Sequence, residues 1–319
     1  MQKLKVVFFG TADFSVPTLE LLYNHSQISI HSVVTMPSKP SGRGLINTPP
    51  PVAEFAISKK ISVIQTENIN KEDLILDSFK SANIDLFLVI AFSQFLSSRT
   101  LSIPSLGCFN IHASILPKYR GAAPIQYALR NGDTETGVCI QKMVKKMDEG
   151  DVALLKKTSI SPNETGGQLY TRLKYLAALL TNDFFENIFQ NTLTFTSQDH
   201  KFASYSPSID KNEGSLNFKN LTATQIYNLV RAFNPRPGTF LNLGNKRLKV
   251  YETQIQALKL NPEELSLANN TIIIGCKEGS IRLINVQLEG KRPCSDTELL
   301  NGFKNFESLW NLQYKKLSL

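Results

Sequence analysis

At 319 residues, with 42% hydrophobic and 19% charged residues, the chain is too long for one small domain and too apolar to be disordered. No run approaches the ~18 apolar residues of a membrane span, and the apolar stretch after Met1 is too short, and too poor in cleavage-like pattern, for a signal peptide. The net charge of +8 is uneven: residues 1–200 carry 19 Lys and Arg against 17 Asp and Glu, and residues 201–319 carry 16 against 10.

Residues 3–9 read as a buried strand closed by Gly10, and Ser15 can cap a helix to about Tyr23 with Val16, Leu19 and Leu22 on its apolar side. The turn Gly10–Phe14 lacks G-x-G-x-x-G and the P-loop lysine, so it predicts a structural turn rather than a nucleotide site. Strands follow at 28–35 and 85–91, with helices near 52–59 and 71–81 between them. That alternation predicts a doubly wound, mainly parallel α/β sheet. The Pro/Gly-rich loop Met36–Leu45 holds Lys39 and Arg43 and reads as exposed and mobile: either a plain connection or a flap over a large substrate. Further strand-like runs occupy 108–112, 137–144 and 152–160. Thr165 and Gln168 make a capping box for a long helix whose inward stripe is Leu169, Leu173, Leu176, Leu180, Phe184 and Ile188.

From Asn191 to Asn212 the sequence turns polar and non-periodic, which predicts a linker. A short helix with Ile226, Leu229, Val230 and Phe233 inward then stops at Asn234-Pro235. Strands at 239–243, 247–253, 271–276 and 280–288, with turns at Gly244-Asn245 and Glu278-Gly279, predict a small barrel-like (OB-like) β domain. The expected division is therefore 1–190, a linker over 191–212, and 213–319.

Between Gly214 and Tyr251 there is no acid, but Lys219, Arg231, Arg236, Lys246, Arg247 and Lys249 occur. This is the pattern of a polyanion-binding face, most often for nucleic acid, or of a solubilising surface; charge alone does not choose. The four cysteines are far apart and form no C-x-x-C pair, so buried thiols in a reducing cytoplasm are expected.

The chemistry concentrates at Asn110-Ile111-His112 and Asp148-Glu149-Gly150-Asp151. In an extended strand Asn110 and His112 share one face, with Phe109 and Ile111 on the other. An amide and an imidazole at a strand end, joined by a carboxylate from a loop, suit stabilising an oxyanion and moving a proton. His25, His31 and His200 lack such company. Asp148 could also be a turn residue, and the calcium-loop spacing is missing.

Three stretches carry a resemblance over essentially the whole chain: Asn110–Gln126 (NIHASILPKYRGAAPIQ), Gly132–Val138 continuing to Asp151, and Arg231–Gly238 (RAFNPRPG). Together they resemble the methionyl-tRNA formyltransferase family. The resemblance implies a Rossmann-like catalytic domain, a C-terminal tRNA-binding domain, and transfer of a formyl group from 10-formyltetrahydrofolate to the amino group of methionyl initiator tRNA. It implies catalytic roles for Asn110, His112 and Asp148, a folate-contacting loop at Ser114, Ile115, Leu116 and Pro117, and an acceptor-stem contact by Arg43. It implies no metal, a cytoplasmic enzyme and a monomer. Ile115 departs from the family's S-L-L-P, Phe92-Ser93 from its Ala-Tyr-Gly near the pterin, and Ser97 from a usual Pro. Ser38-Lys39 and Leu45–Asn47 depart in the flap, and Ser208 stands where a Lys is common in the interdomain segment. A sugar-nucleotide amine formyltransferase shares the catalytic set but needs neither the Arg43 flap nor the acid-free basic stretch.

Overall fold

A computed structural model describes residues 3–41 and 44–314; Arg43 lies outside the described residues. Along the chain come β1 (Leu4–Gly10), α1 (Val16–Asn24) and β2 (Ile28–Thr35), then β3 (Lys39–Ser41) and β4 (Ile46–Thr48), α2 (Pro51–Ser58), β5 (Val63–Gln65) and α3 (Asp73–Ser81). β6 (Leu86–Ile90), α4 (Ser98–Leu101), β7 (Gly107–His112), α5 (Pro124–Arg130), β8 (Glu135–Lys142), β9 (Val152–Ser159) and the long α6 (Gly166–Phe189) follow. Two compact units result. The first comprises residues 1–124, 135–158 and 170–206, and the second comprises 125–134, 159–169 and 207–319. Among the described residues no helix is long and apolar enough to cross a membrane.

The first unit is built on a seven-stranded sheet of order β5-β2-β1-β6-β7-β8-β9. β2, β5, β6 and β7 join it in parallel and β8 turns antiparallel to β7. Val6, Val7, Phe8 and Phe9 are all fully buried, as expected of a parallel strand covered on both faces. Phe9 packs on Phe87 and Phe92 at 4.9 and 5.3 Å between ring centroids. Phe92 is thereby committed to the core. Because β1 pairs with β2 on one side and β6 on the other, the strand order reverses there. Such a reversal opens a crevice at the carboxyl ends of the strands. The turn after β1 is filled by protein groups: the Tyr170 hydroxyl donates to Asp13 and accepts from the Phe14 N–H, and Ser15 Oγ donates to the Ile90 carbonyl.

The Pro/Gly-rich loop leads into a small antiparallel hairpin, with Lys39 opposite Thr48 and Pro40 opposite Asn47. Residues 191–206 lie within the first unit. Thr196 exchanges both backbone hydrogen bonds with Val152, and Ser204 and Ser206 bond the backbone of Pro117, Arg120 and Ala123.

The second unit contains α7 (Ala223–Phe233), β10 (Thr239–Leu243), β11 (Lys246–Gln256), β12 (Leu265–Ser266), β13 (Ile273–Gly275), β14 (Ser280–Leu288), β15 (Cys294–Ser295), α8 (Asp296–Gly302) and α9 (Phe306–Tyr314). Its sheet is antiparallel, of order β10-β11-β14-β13-β12, with β15 on β14. Two register shifts bend β11 near Glu252. The helices α8 and α9 complete the core through Leu299, Leu300, Phe306 and the fully buried Trp310, whose indole N–H donates to the Glu263 carbonyl.

Candidate active site

β7 ends at the sheet's carboxyl edge, and its alternation puts Asn110 and His112 on one face while Phe109 and Ile111 are buried on the other. The antiparallel register sets Asn110 opposite Gln141 and His112 opposite Cys139. Side chains directly opposite share a face, so a second amide joins the first. Gln141 is 2% exposed and had no place in the sequence reading. Its one visible signal is an amide interrupting the apolar run Val138-Cys139-Ile140.

Asp148 reaches this face from the loop between β8 and β9, whose base is tied by Lys142 N–H to the Asp151 carbonyl and Met143 N–H to the Cys108 carbonyl. Gly150 is required there, because a Cβ would stand 1.7 Å from the Lys142 carbonyl oxygen. Three donors converge on the Asp148 carboxylate. Gln141 Nε2 lies 2.7 Å from Oδ1, Asn110 Nδ2 3.4 Å from Oδ1, and the Gly121 N–H 2.9 Å from Oδ2. Gly121 sits at φ +121°, and a Cβ there would be 2.7 Å from the Ser206 carbonyl oxygen. Only glycine fits, which is a physical reason for Arg-Gly in this loop.

The His112 ring is held from a side that the sequence did not suggest. Its Nε2 lies 2.8 Å from the Tyr119 carbonyl oxygen, which also accepts from Ser206 Oγ at 3.0 Å. A carbonyl only accepts, so Nε2 carries the proton and, in the neutral ring, Nδ1 carries the lone pair. Nδ1 faces Asp148 Oδ2 at 3.8 Å, too long for a hydrogen bond but suited to an ion pair once the ring is protonated. The ring is 6% exposed. The geometry therefore offers a base at Nδ1, an anion to steady its cationic form, and an amide donor alongside.

The loop after β7 turns on itself through Ser114, whose buried hydroxyl donates to the Lys118 carbonyl. Ser114 thus fastens the loop, Leu116 is buried, and Ile115 and Pro117 are partly exposed. Cys139, across from His112, is fully buried, and burial pushes its thiol up to about 12, away from the thiolate a nucleophile needs. Among the described residues no group of three or more His, Cys, Asp and Glu could hold a metal ion.

Comparison with known proteins shows the family. Residues 4–180 match the formyl transferase family and residues 208–304 its C-terminal domain. A methionyl-tRNA formyltransferase of Geobacter metallireducens is 38% identical over 303 residues, covering 95% of this chain and 96% of that protein. One from Thermotoga maritima is 37% identical over 303 residues, covering 94% and 95%. In fold, the chain is similar to the sugar 3N-formyltransferase WlaRD, solved in the presence of dTDP and 5-N-formyl-THF, with TM-score 0.68 and 21% identity over 92% of this chain and 100% of that one. HypX of Aquifex aeolicus in complex with tetrahydrofolic acid aligns with TM-score 0.59 and 14% identity, covering 95% of this chain and 48% of that one.

Proposed function

The chain belongs to the methionyl-tRNA formyltransferase family, and from that premise we propose that it transfers the formyl group of 10-formyltetrahydrofolate to the free amino group of methionyl initiator tRNA. The observation that carries the chemistry is the convergence of Asn110, His112 and Asp148 at the end of β7. The folate donor supplies an activated formyl carbon. Asn110 Nδ2 donates to the formyl oxygen as it gains charge, and one such donor is typically worth ~10²–10³ in rate. His112 Nδ1 takes the proton that the attacking amine must lose and returns it to the nitrogen that leaves. Protons and charge then balance without an added co-reactant. Asp148, 3.8 Å from Nδ1, stabilises the imidazolium between those two transfers.

The main chain of Ser114–Pro117, with the partly exposed Ile115 and Pro117, forms the folate-contacting wall, and Ser114 sets its shape. Arg43 meets the acceptor stem. In this reading formyl transfer is the work of the first unit, residues 191–206 included, and tRNA binding that of the second, so the stretch expected as a linker is shortened at its start. The enzyme acts as a cytoplasmic monomer.

The test is incubation with 10-formyltetrahydrofolate and methionyl initiator tRNA, followed by mass analysis of the released amino acid. Formylmethionine is expected, with His112→Ala lowering kcat by about 10²–10⁴ while tRNA binding persists. Formylation of a dTDP-amino sugar in its place would overturn the assignment.

A further inference from the structure

Gln198 lies beyond both family matches, in a polar stretch whose sequence resembles a linker. It is nevertheless 8% exposed, and its amide is fully engaged. Its two amide hydrogens go to the Asp148 carbonyl at 2.8 Å and the Gly150 carbonyl at 2.7 Å. Its oxygen accepts from Arg120 Nε at 3.2 Å and Nη2 at 2.8 Å. Arg120 is only 2% exposed, and its Nη1 reaches Glu149 Oε1 at 3.3 Å. Its Nη2 is also 2.9 Å from His200 Nδ1. The consecutive residues 148, 149 and 150 are therefore each gripped by one member of this pair.

We propose that Gln198, fixed by the buried Arg120 guanidinium, is a positioning residue that sets the main chain under Asp148. The inference rests on the reading of Asp148 as catalytic. Asp148 occupies φ +55°, left-handed backbone that aspartate enters more readily than most residues. Both amide protons of one side chain, spent on the carbonyls at 148 and 150, hold the main chain in it. No other side chain of that length provides two donors and an acceptor at once. Glutamate would set oxygen against two carbonyl oxygens, and asparagine is one methylene short. The carboxylate is held by Gln141, Gly121 and Asn110, and Gln198 Nε2 reaches that set only through a long 3.5 Å contact with Gln141 Oε1, so its two short bonds act on where Asp148 stands. A displacement of about 1 Å at such a site can cost ~10² in rate.

The experiment measures kcat, KM for both substrates and Tm for wild type, Gln198→Met, Asp148→Asn and the double variant, using single turnovers where rates are low. Gln198→Met is expected to lower kcat by about 10- to 100-fold, with each KM within about threefold of wild type. On the Asp148→Asn background it should cost less than about twofold, because residues acting as a unit are non-additive. A merely structural role would give the same loss on both backgrounds and would overturn the clamp alone, as would an unchanged kcat in Gln198→Met. An Asp148→Asn enzyme with wild-type kcat would overturn the catalytic reading and the clamp with it. If Gln198→Met does not fold, Arg120→Lys tests the same link. It keeps a charge near Glu149 but withdraws the guanidinium fork, and the same non-additivity with Asp148→Asn is required.

Discussion

A thiol and an imidazole face each other across β7 and β8, and physical chemistry decides which of them reacts. Desolvation pushes the Cys139 thiol up to about 12. At pH 8 only ~10⁻⁴ of it is then thiolate, the nucleophilic form. Iodoacetamide at pH 8 should leave Cys139 unlabelled in the folded protein and label it readily in guanidinium, as read by peptide mass mapping. Fast labelling with loss of activity would contradict this. Burial raises Cys108 and Cys276 to about 12 as well. Folded thiols that stay protonated, while unfolded ones ionise near their ordinary 9.0, make stability fall as pH rises between 9 and 12. Thermal melts across that interval should show Tm declining, and less steeply in Cys139→Ala. For His112 the Tyr119 carbonyl decides which ring nitrogen carries the proton.

At the scale of elements, the loop between β8 and β9 is where one methyl group should do the most damage. Gly150→Ala would place a Cβ 1.7 Å from the Lys142 carbonyl oxygen, which is backbone and cannot swing aside. Either the end of β8 or the Asp148 loop must shift. We predict a loss of about 1–3 kcal/mol, a Tm lowered by several degrees, and kcat reduced more than either KM. An alanine variant with wild-type kcat and Tm would show that the loop yields freely. Elements with strong periodicity were legible in the sequence: β1, β6, β7 and the long α6, whose capping box at Thr165 and Gln168 forms as expected. On α6 the buried set keeps Leu169, Leu173, Leu180 and Phe184, leaves Leu176 and Ile188 half-buried and takes in Ala177 and Phe185, since a 3.6-residue period drifts from a simple stripe. The strand β5, the hairpin of β3 and β4, and the helices α5 and α9 escaped notice. They are short or hold few apolar positions, and tertiary packing decides them. Within the site, Asn110, His112 and Asp148 were legible because three residue types of matching chemistry recur in recognisable motifs. Gln198 was not, because nothing local distinguishes a buried amide in a polar stretch from an exposed one. Its partners lie 48 to 78 residues away in sequence.

For the molecule as a whole, the charge asymmetry read from composition survives with one subtraction. Arg231 is 8% exposed, with Nε donating to Asn228 Oδ1 at 2.9 Å and Nη2 to the Leu129 carbonyl at 3.4 Å. Two of its nitrogens are committed to protein acceptors and desolvation pulls its pKa down, which sets it apart from the exposed basic residues although it lines a second cleft beside Tyr227. Lys219, Arg236, Lys246, Arg247 and Lys249 remain exposed. Lys246, Arg247 and Lys249 line one cleft of about 640 Å³ together with a single acid, Glu289, which accepts from the Arg247 N–H, and the Arg247 guanidinium lies 3.9 Å from the Phe240 ring centroid. Each phosphate neutralised by such a residue releases counterions and contributes about −0.7 to −0.9 to the slope of log K against log salt. Binding of initiator tRNA should therefore weaken steeply between low and physiological salt. Lys246→Gln with Lys249→Gln should flatten the slope by about 1.5. Arg231→Met should leave the slope unchanged and lower Tm instead, because its guanidinium meets protein and not phosphate. Titrations at four salt concentrations with these three proteins separate the possibilities. A slope that ignores the two lysines, or one that follows Arg231, would move the RNA contact away from the β10–β11 face.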